Sequence, residues 1–196
     1  MQPLIDHARS FRKQSAERPE EFARLAEGQS PQVLFITCSD SRVVPALITG
    51  ARPGELFELR TAGNIVPPYV SEQPTSEAAT IEYAVEVLGV DDIVVCGHSH
   101  CGAVGALVRD EDLTAVPAVR DWLTQATPKP AGAVEDPTVT DAVQGHILAQ
   151  LLRLRSYPCV ERRLAAGQLR LNGWFYEIHT GSVLAHDAQS DVFTEL

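Results

Sequence analysis

The spacing of apolar and polar positions along the chain changes period several times, and each change marks an element. Residues 3–27 carry an amphipathic helical pattern, with charges in "RSFRK" and "ERPEEFARL" and Pro19 interrupting it. Val33 to Thr37 then form a short, nearly continuous run of apolar β-formers, as expected of a strand buried on both faces. "ELFELR" at 55–60 reads as a second strand. Further on, Ala79, Tyr83, Ala84 and Val87 recur at helical spacing, and Gly89 supplies the stop. "DDIVVCG" is a third buried strand, after which the chain turns helical again beyond Gly102. Residues 116–165 hold helical pieces broken by "TPKPAG" and Pro158, and "QLRLNGWFYEIHTGSVLAHD" closes as strand, Thr-Gly turn and strand. Strands alternating with helices predict an α/β fold with a mainly parallel sheet flanked by helices. Residues 1–27 are expected to form a helical arm, and 28–196 a single domain.

Composition narrows the partners. An apolar fraction of 44% and a charged fraction of 21% are ordinary for a globular protein. No apolar run approaches the roughly 20 residues that span a bilayer, and "MQPLIDHARSFRKQ" has no apolar stretch behind a basic head, so a cytoplasmic protein is expected. The formal net charge of −10 argues against nucleic acid and anionic membrane as partners. A small anionic ligand would need a local positive site, either a metal or an arginine. Cys38, Cys96, Cys101 and Cys159 are then metal ligands, reactive thiols or core residues rather than disulfides.

The chemistry concentrates in two loops. "CSDSR" follows the first strand and "HSHCG" ends the third, and parallel strands would bring both to one sheet edge, where α/β proteins bind ligands. Zinc favours thiolate and imidazole, and a catalytic zinc keeps one position open. Cys38 supplies a thiolate, and His98 with Cys101, at i and i+3, can reach the same ion. Cys96 lies further back in the strand and reads as a small buried hydrophobe. His100 reads as a neighbour of the site, with ligation in place of His98 as the alternative. Asp40 and Arg42, at i and i+2, can pair, which would keep the carboxylate ionised and oriented toward a metal-bound hydroxide. Alternatively, Asp40 caps a helix beginning near Val43.

Together "CSDSR" and "HSHCG" resemble the signature of the β-class carbonic anhydrases. "GQSP" at 28–31, "PGELFELRTAGNIVPPY" at 53–69, "AATIEYAVEVLGVDDIVVCGHSHCGAV" at 78–104 and "NGWFYEIHTG" at 172–181 follow that family's order. The resemblance implies zinc held by Cys38, His98 and Cys101, an Asp40–Arg42 catalytic dyad, and reversible hydration of carbon dioxide to bicarbonate and a proton by zinc-bound hydroxide. Gln29 matches the glutamine of the plant-type variant, which reaches the substrate across a dimer interface. Phe57, Ala62 and Tyr83 match that variant's substrate pocket, and Gly102 the residue whose backbone N–H holds a substrate oxygen. A second variant binds inhibitory bicarbonate through Trp, Arg and Tyr. Here Arg60 and Tyr176 are present but Phe35 stands at the Trp position, so both are read as structural or interface residues. The resemblance further implies a homodimer or higher homo-oligomer, with residues 3–27 packed on a neighbouring subunit. Hydrolysis of carbonyl sulfide or carbon disulfide is the rival activity on the same scaffold, and a non-catalytic zinc or redox-sensing protein the third reading. His146, His179, His186, Cys159 and Trp174 are expected to be surface, core or contact residues.

Overall fold

The computed structural model describes residues 1–126 and 128–196. Thr127, the first residue of the "TPKPAG" break, lies outside the described residues. Two N-terminal helices, α1 (Gln2–Ala16) and α2 (Pro19–Ala26), precede the sheet, with Pro19 at the first position of α2, where its missing N–H costs nothing. Then follow β1 (Val33–Cys38), α3 (Pro45–Thr49), β2 (Leu56–Thr61) and a tight 3₁₀ turn at Ala62–Asn64. Helix α4 (Ser76–Glu82) widens into a π-turn over Tyr83–Leu88, and Gly89, at φ 68°, ends it in the left-handed region. The chain continues through β3 (Asp92–His98), α5 (Gly102–Arg109), α6 (Pro117–Leu123), α7 (Thr140–Arg155), α8 (Pro158–Ala165), β4 (Arg170–Tyr176), β5 (Val183–Asp187) and β6 (Val192–Glu195).

The described residues form one six-stranded sheet in the order β2-β1-β3-β4-β5-β6. The first four strands run parallel, while β5 and β6 return antiparallel as an edge hairpin. The sheet is therefore mixed, with a parallel core. The last strand is absent from the sequence reading because it spans four mostly exposed residues, of which Phe193 packs inward. From β1 the chain steps to β2 on one side and then crosses to β3 on the other. The carboxyl ends of β1 and β3 thus flank the point where strand order reverses, the usual crevice of such sheets.

The main core forms on one face of β1 and β3, where Leu34, Ile36, Ile93 and Val95 meet Ile81, Val85, Val143 and Ile147. On the other face Phe35, Val94 and Cys96 pack with Trp174, the Phe35 and Trp174 rings meeting edge-on at 5.9 Å. In contrast, α1 and α2 bury no residue in the single chain and meet through Phe11 and Phe22, 5.8 Å apart.

Helix α7 approaches the sheet closely because glycine faces it. A Cβ on Gly97 would lie 2.5 Å from Val143 Cγ1 and 2.9 Å from Ile147 Cδ1, both rooted in a well-packed helix. Gly97→Ala should therefore destabilise the fold by about 1–3 kcal/mol, seen as a lower urea midpoint at unchanged m-value. An unshifted midpoint would mean that α7 does not seat this tightly.

Candidate metal centre

Cys38 is the last residue of β1 and His98 the last of β3, while Cys101 caps the start of α5. Parallel pairing sets Thr37 opposite Cys96, and the Thr37 hydroxyl donates to the Cys96 carbonyl at 2.9 Å, locking the two strand ends together. As a result one ligand atom from each of Cys38, His98 and Cys101 lies within 4.8 Å of the others, and all three residues are buried.

His98 is oriented for ligation. Its Nδ1 is 2.9 Å from the Ser99 carbonyl, which can only accept, so Nδ1 carries the proton. Ser99 is itself fixed, its N–H donating to the Tyr176 carbonyl (2.9 Å) and its Oγ accepting from the Ile178 N–H (3.0 Å). The bare Nε2 is buried and has no hydrogen-bond partner among the described residues. An unpaired buried acceptor is costly, and a cation between the three donors would satisfy it.

The sulfurs point the same way. The Cys38 thiol is pulled down, first by the hydrogen bond from the Cys101 thiol, against desolvation, with the Gly63 N–H (3.3 Å from Sγ) assisting. Cys101 is pushed up by that same hydrogen bond and by burial. The two sulfurs stand within hydrogen-bond reach of each other, an arrangement that a thiophilic cation would replace. Two sulfurs and one imidazole with space for a further ligand suit Zn²⁺. By contrast, burial pushes the Cys96 thiol up to about 12, and it packs in the core against Phe35 and Val94. Cys159 is likewise buried.

Beside the donors stands Asp40. Its Oδ1 accepts from Arg42 Nε and from the Arg42 backbone N–H, both at 2.9 Å, and its Oδ2 from Arg42 Nη2 at 2.7 Å. The Arg42 side chain holds the carboxyl well below the usual range. Its Oδ2 lies 3.9 Å from His98 Nε2. Asp40 is not the cap of the next helix, since α3 begins at Pro45 behind Val44. Arg42 Nη2 also donates to the His100 carbonyl at 3.2 Å. His100 contributes here through its backbone: it sits at φ 58° and donates its N–H to the Thr138 carbonyl at 2.8 Å, next to Val139 at φ 51°. A left-handed β-branched residue is a genuine outlier, and the Asp136 carboxylate, accepting from the Thr138 and Thr140 N–H groups, holds it in place.

Arg60 binds the loop from the other side. Its guanidinium donates to the carbonyls of Cys38 (3.0 Å), Asp40 (2.8 Å) and Val43 (2.7 Å). Gly102 opens α5, with open space where a Cβ would stand. Ala62 is exposed in the single chain, its carbonyl accepting from Trp122 Nε1 at 2.9 Å. Phe57 and Tyr83 stack at 6.0 Å with Tyr83 half-exposed, and Gln29 is exposed. His179 is an exposed group near Glu177, whereas His186 is mostly buried against Phe193 and lies 3.0 Å from Asp191. His146 is fully buried and hydrogen-bonded. The sequence carried no signal for the Gly63 N–H on Cys38, nor for the contacts of His146, which join residues far apart in the chain.

Residues 33–183 match the carbonic anhydrase family. A carbonic anhydrase of Pseudomonas aeruginosa is 46% identical over 203 aligned positions, covering 100% of this chain and 92% of that protein. The solved β-carbonic anhydrase CcaA superposes with a TM-score of 0.90 at 40% identity, covering 100% of this chain and 99% of that one. The chain belongs to the β-carbonic anhydrase family. A second solved member, a β-carbonic anhydrase described as tetrameric from Sordaria macrospora, is 29% identical with a TM-score of 0.79, over 92% of this chain and 93% of that one. Among the described residues, the donor group that could hold a metal lies at the ends of β1 and β3 and the start of α5.

Arg60→Met removes the donors from three loop carbonyls at once. The expected outcome is a loss of about 1–3 kcal/mol in stability, with faster amide exchange over residues 38–43. Unchanged exchange there would show that the loop holds its shape without Arg60.

Proposed function

We propose that the chain catalyses reversible hydration of carbon dioxide to bicarbonate and a proton, at a zinc ion held by Cys38, His98 and Cys101. The observation that carries this reading is the orphaned Nε2 of His98, facing two buried sulfurs beside an arginine-clamped carboxylate. Zinc bound there supplies Lewis acidity that makes water a nucleophile near neutral pH, tempered by two thiolates that offset its charge.

The chain's own groups do the rest. Asp40 stays ionised because Arg42 occupies it, and its Oδ2 is free on one side to accept a hydrogen bond from the attacking water and set its direction. His98 keeps its proton on Nδ1 through Ser99, so Nε2 remains a donor of electrons. The Gly102 N–H, at the amino end of α5, can donate to an oxygen on which negative charge develops. The plant-type reading assigns Phe57, Ala62 and Tyr83 to the apolar wall of the substrate pocket; Ala62 and Tyr83, exposed in the single chain, would be covered by a second copy. The plant-type reading adds Gln29 from a neighbouring subunit as a second donor to the substrate. Arg60 supports it: its guanidinium already serves three loop carbonyls, as expected of a structural residue rather than a bicarbonate ligand.

Residues 1–27 are read as an arm that packs on a second copy, leaving 28–196 as the catalytic domain. Two helices that bury nothing in the single chain support this. No helix among the described residues is long and apolar enough to cross a membrane.

Zinc content measured beside carbon dioxide hydration tests the function. The wild type should hold about one zinc per chain, and Cys101→Ser should lose both zinc and activity. Asp40→Ala should keep zinc and lose about 10²–10⁴-fold in kcat. Activity should rise from about pH 6.5 to about pH 9 as water ionises, and a flat profile would contradict the mechanism. Carbonyl sulfide and carbon disulfide, assayed in parallel, should turn over far more slowly. Full metal and activity in Asp40→Ala would leave only a non-catalytic role for the dyad.

Removal of residues 1–27 should convert an oligomer to monomers in sedimentation and abolish activity by withdrawing Gln29's neighbour. A wild type that sediments as a monomer would overturn the role given to Gln29.

A further inference from the structure

His146 is a fully buried histidine on α7 that the mechanism leaves unused, and its hydrogen bonds run straight to the back of the metal centre. Its Nε2 is 2.8 Å from the Gly63 carbonyl, which can only accept, so Nε2 carries a proton. Burial keeps the ring neutral, leaving Nδ1 as an acceptor. Gln150, one turn on and also buried, approaches Nδ1 with its amide nitrogen at 3.4 Å, and its Oε1 accepts from the Val66 N–H at 2.9 Å. Donors and acceptors are thus consistent in one direction only: Val66 N–H to Gln150, Gln150 to His146, His146 to the Gly63 carbonyl.

The other side of Gly63 is the informative one. Its N–H donates to Cys38 Sγ at 3.3 Å, and its φ of 73° allows the turn that aims it there. The residue also lies tight under α5, since a Cβ would come within 3.0 Å of Ala103 Cβ. Val66 and Gly63 bracket the turn after β2, and both are pinned to α7 by the same two side chains.

We propose that His146, held by Gln150, is a positioning residue for the metal centre: it fixes the Gly63 turn so that the Gly63 N–H stays on the Cys38 sulfur. It touches no metal or substrate. An N–H on a thiolate draws off charge and fixes the direction of its lone pairs, so the sulfur binds in one geometry. A hydrophobic residue at 146 could fill the same core space but would leave the Gly63 carbonyl unpaired and the peptide free to turn. The inference rests on the zinc reading of Cys38, His98 and Cys101, and the test separates the two.

The experiment loads wild type, His146→Leu, His146→Gln and Gln150→Leu with Co²⁺ and, separately, with Zn²⁺. Sulfur-to-cobalt charge-transfer bands and the rate of zinc release to a chelator are recorded, with circular dichroism and thermal midpoints confirming each fold. His146→Leu should release zinc about 10-fold faster and move the charge-transfer band to lower energy, as a more electron-rich sulfur requires. Gln150→Leu should move both in the same direction by less. His146→Gln, which keeps an amide donor near the position of Nε2, should stay close to wild type.

A folded His146→Leu with wild-type band and release rate would overturn the proposal, as would a His146→Gln that behaves like it. If His146→Leu does not fold, Gln150→Leu decides by the same criterion. A wild type that shows no thiolate-to-cobalt band would overturn the zinc reading and this one with it, whereas a wild-type band unmoved by the substitutions overturns only the positioning role.

Discussion

Parallel pairing of β1 with β3 is the constraint on which the rest of the structure depends. The pairing register sets Thr37 against Cys96, so β1 ends at Cys38 close to the level at which β3 ends at His98. The chain then places "CSDSR" and "HSHCG" on one edge, at the point where strand order reverses. Slipping this register by one residue would turn every side chain of the strand to the other face. Cys38 would leave the main core for the side of Phe35, and the three donors would separate. The Thr37 hydroxyl bond to the Cys96 carbonyl and two dense apolar faces specify the register before any metal arrives.

Burying the donors raises a second requirement, because polar atoms out of water must be paired. The fold meets it with backbone contacts: Ser99 carbonyl for His98 Nδ1, Gly63 N–H for Cys38, and a tight glycine contact where α7 crosses β3. Outside the centre, two arginines hold one loop from opposite sides. Arg42 binds the Asp40 carboxylate while Arg60 binds the carbonyls behind it. A guanidinium suits both tasks because its planar fork can serve several acceptors at fixed angles. Arg42 also reaches the His100 carbonyl, so the "CSDSR" loop and the "HSHCG" turn are joined by one side chain. The position of Asp40 is thereby tied to a left-handed His100, and through Thr138 to the strained Val139.

The parts legible from the sequence share a physical character: they are local. Runs such as "VLFIT" and "DDIVVCG" can only be buried strands, and Gly89 can only be a stop where the backbone turns left-handed. Cys38, His98 and Cys101 were legible because ligand chemistry sits at strand ends, and the i, i+3 spacing brings two of them to one turn. The edge strand β6 was not legible, since four mostly exposed residues carry no periodicity. The π-turn over Tyr83–Leu88 keeps a helical pattern of apolar residues and hides its extra width. The Arg60, His146 and Gln150 contacts are legible only in three dimensions: each joins a side chain to backbone atoms 17 or more residues away, and backbone acceptors have no sequence identity. Gln29 and Tyr83 are exposed in the single chain, and the role proposed for them depends on a second copy.

The burial of the three donors constrains how this site can work. Two buried sulfurs stand within hydrogen-bond reach of each other, and a third donor, His98 Nε2, has no hydrogen-bond partner among the described residues. The apolar surroundings stabilise neither an extra charge nor an empty lone pair. A dication held by Cys38, His98 and Cys101 would remove these costs together, pairing the orphaned nitrogen and balancing the thiolates. Thiols ligate only as thiolates, so metal affinity at such a site would weaken as acid competes for the sulfurs. The surrounding fold does not create this coupling but amplifies it. Ser99 and Gly63 hold the donors where they cannot relax toward one another, so the centre stays poised for a cation rather than collapsing onto its own hydrogen bond.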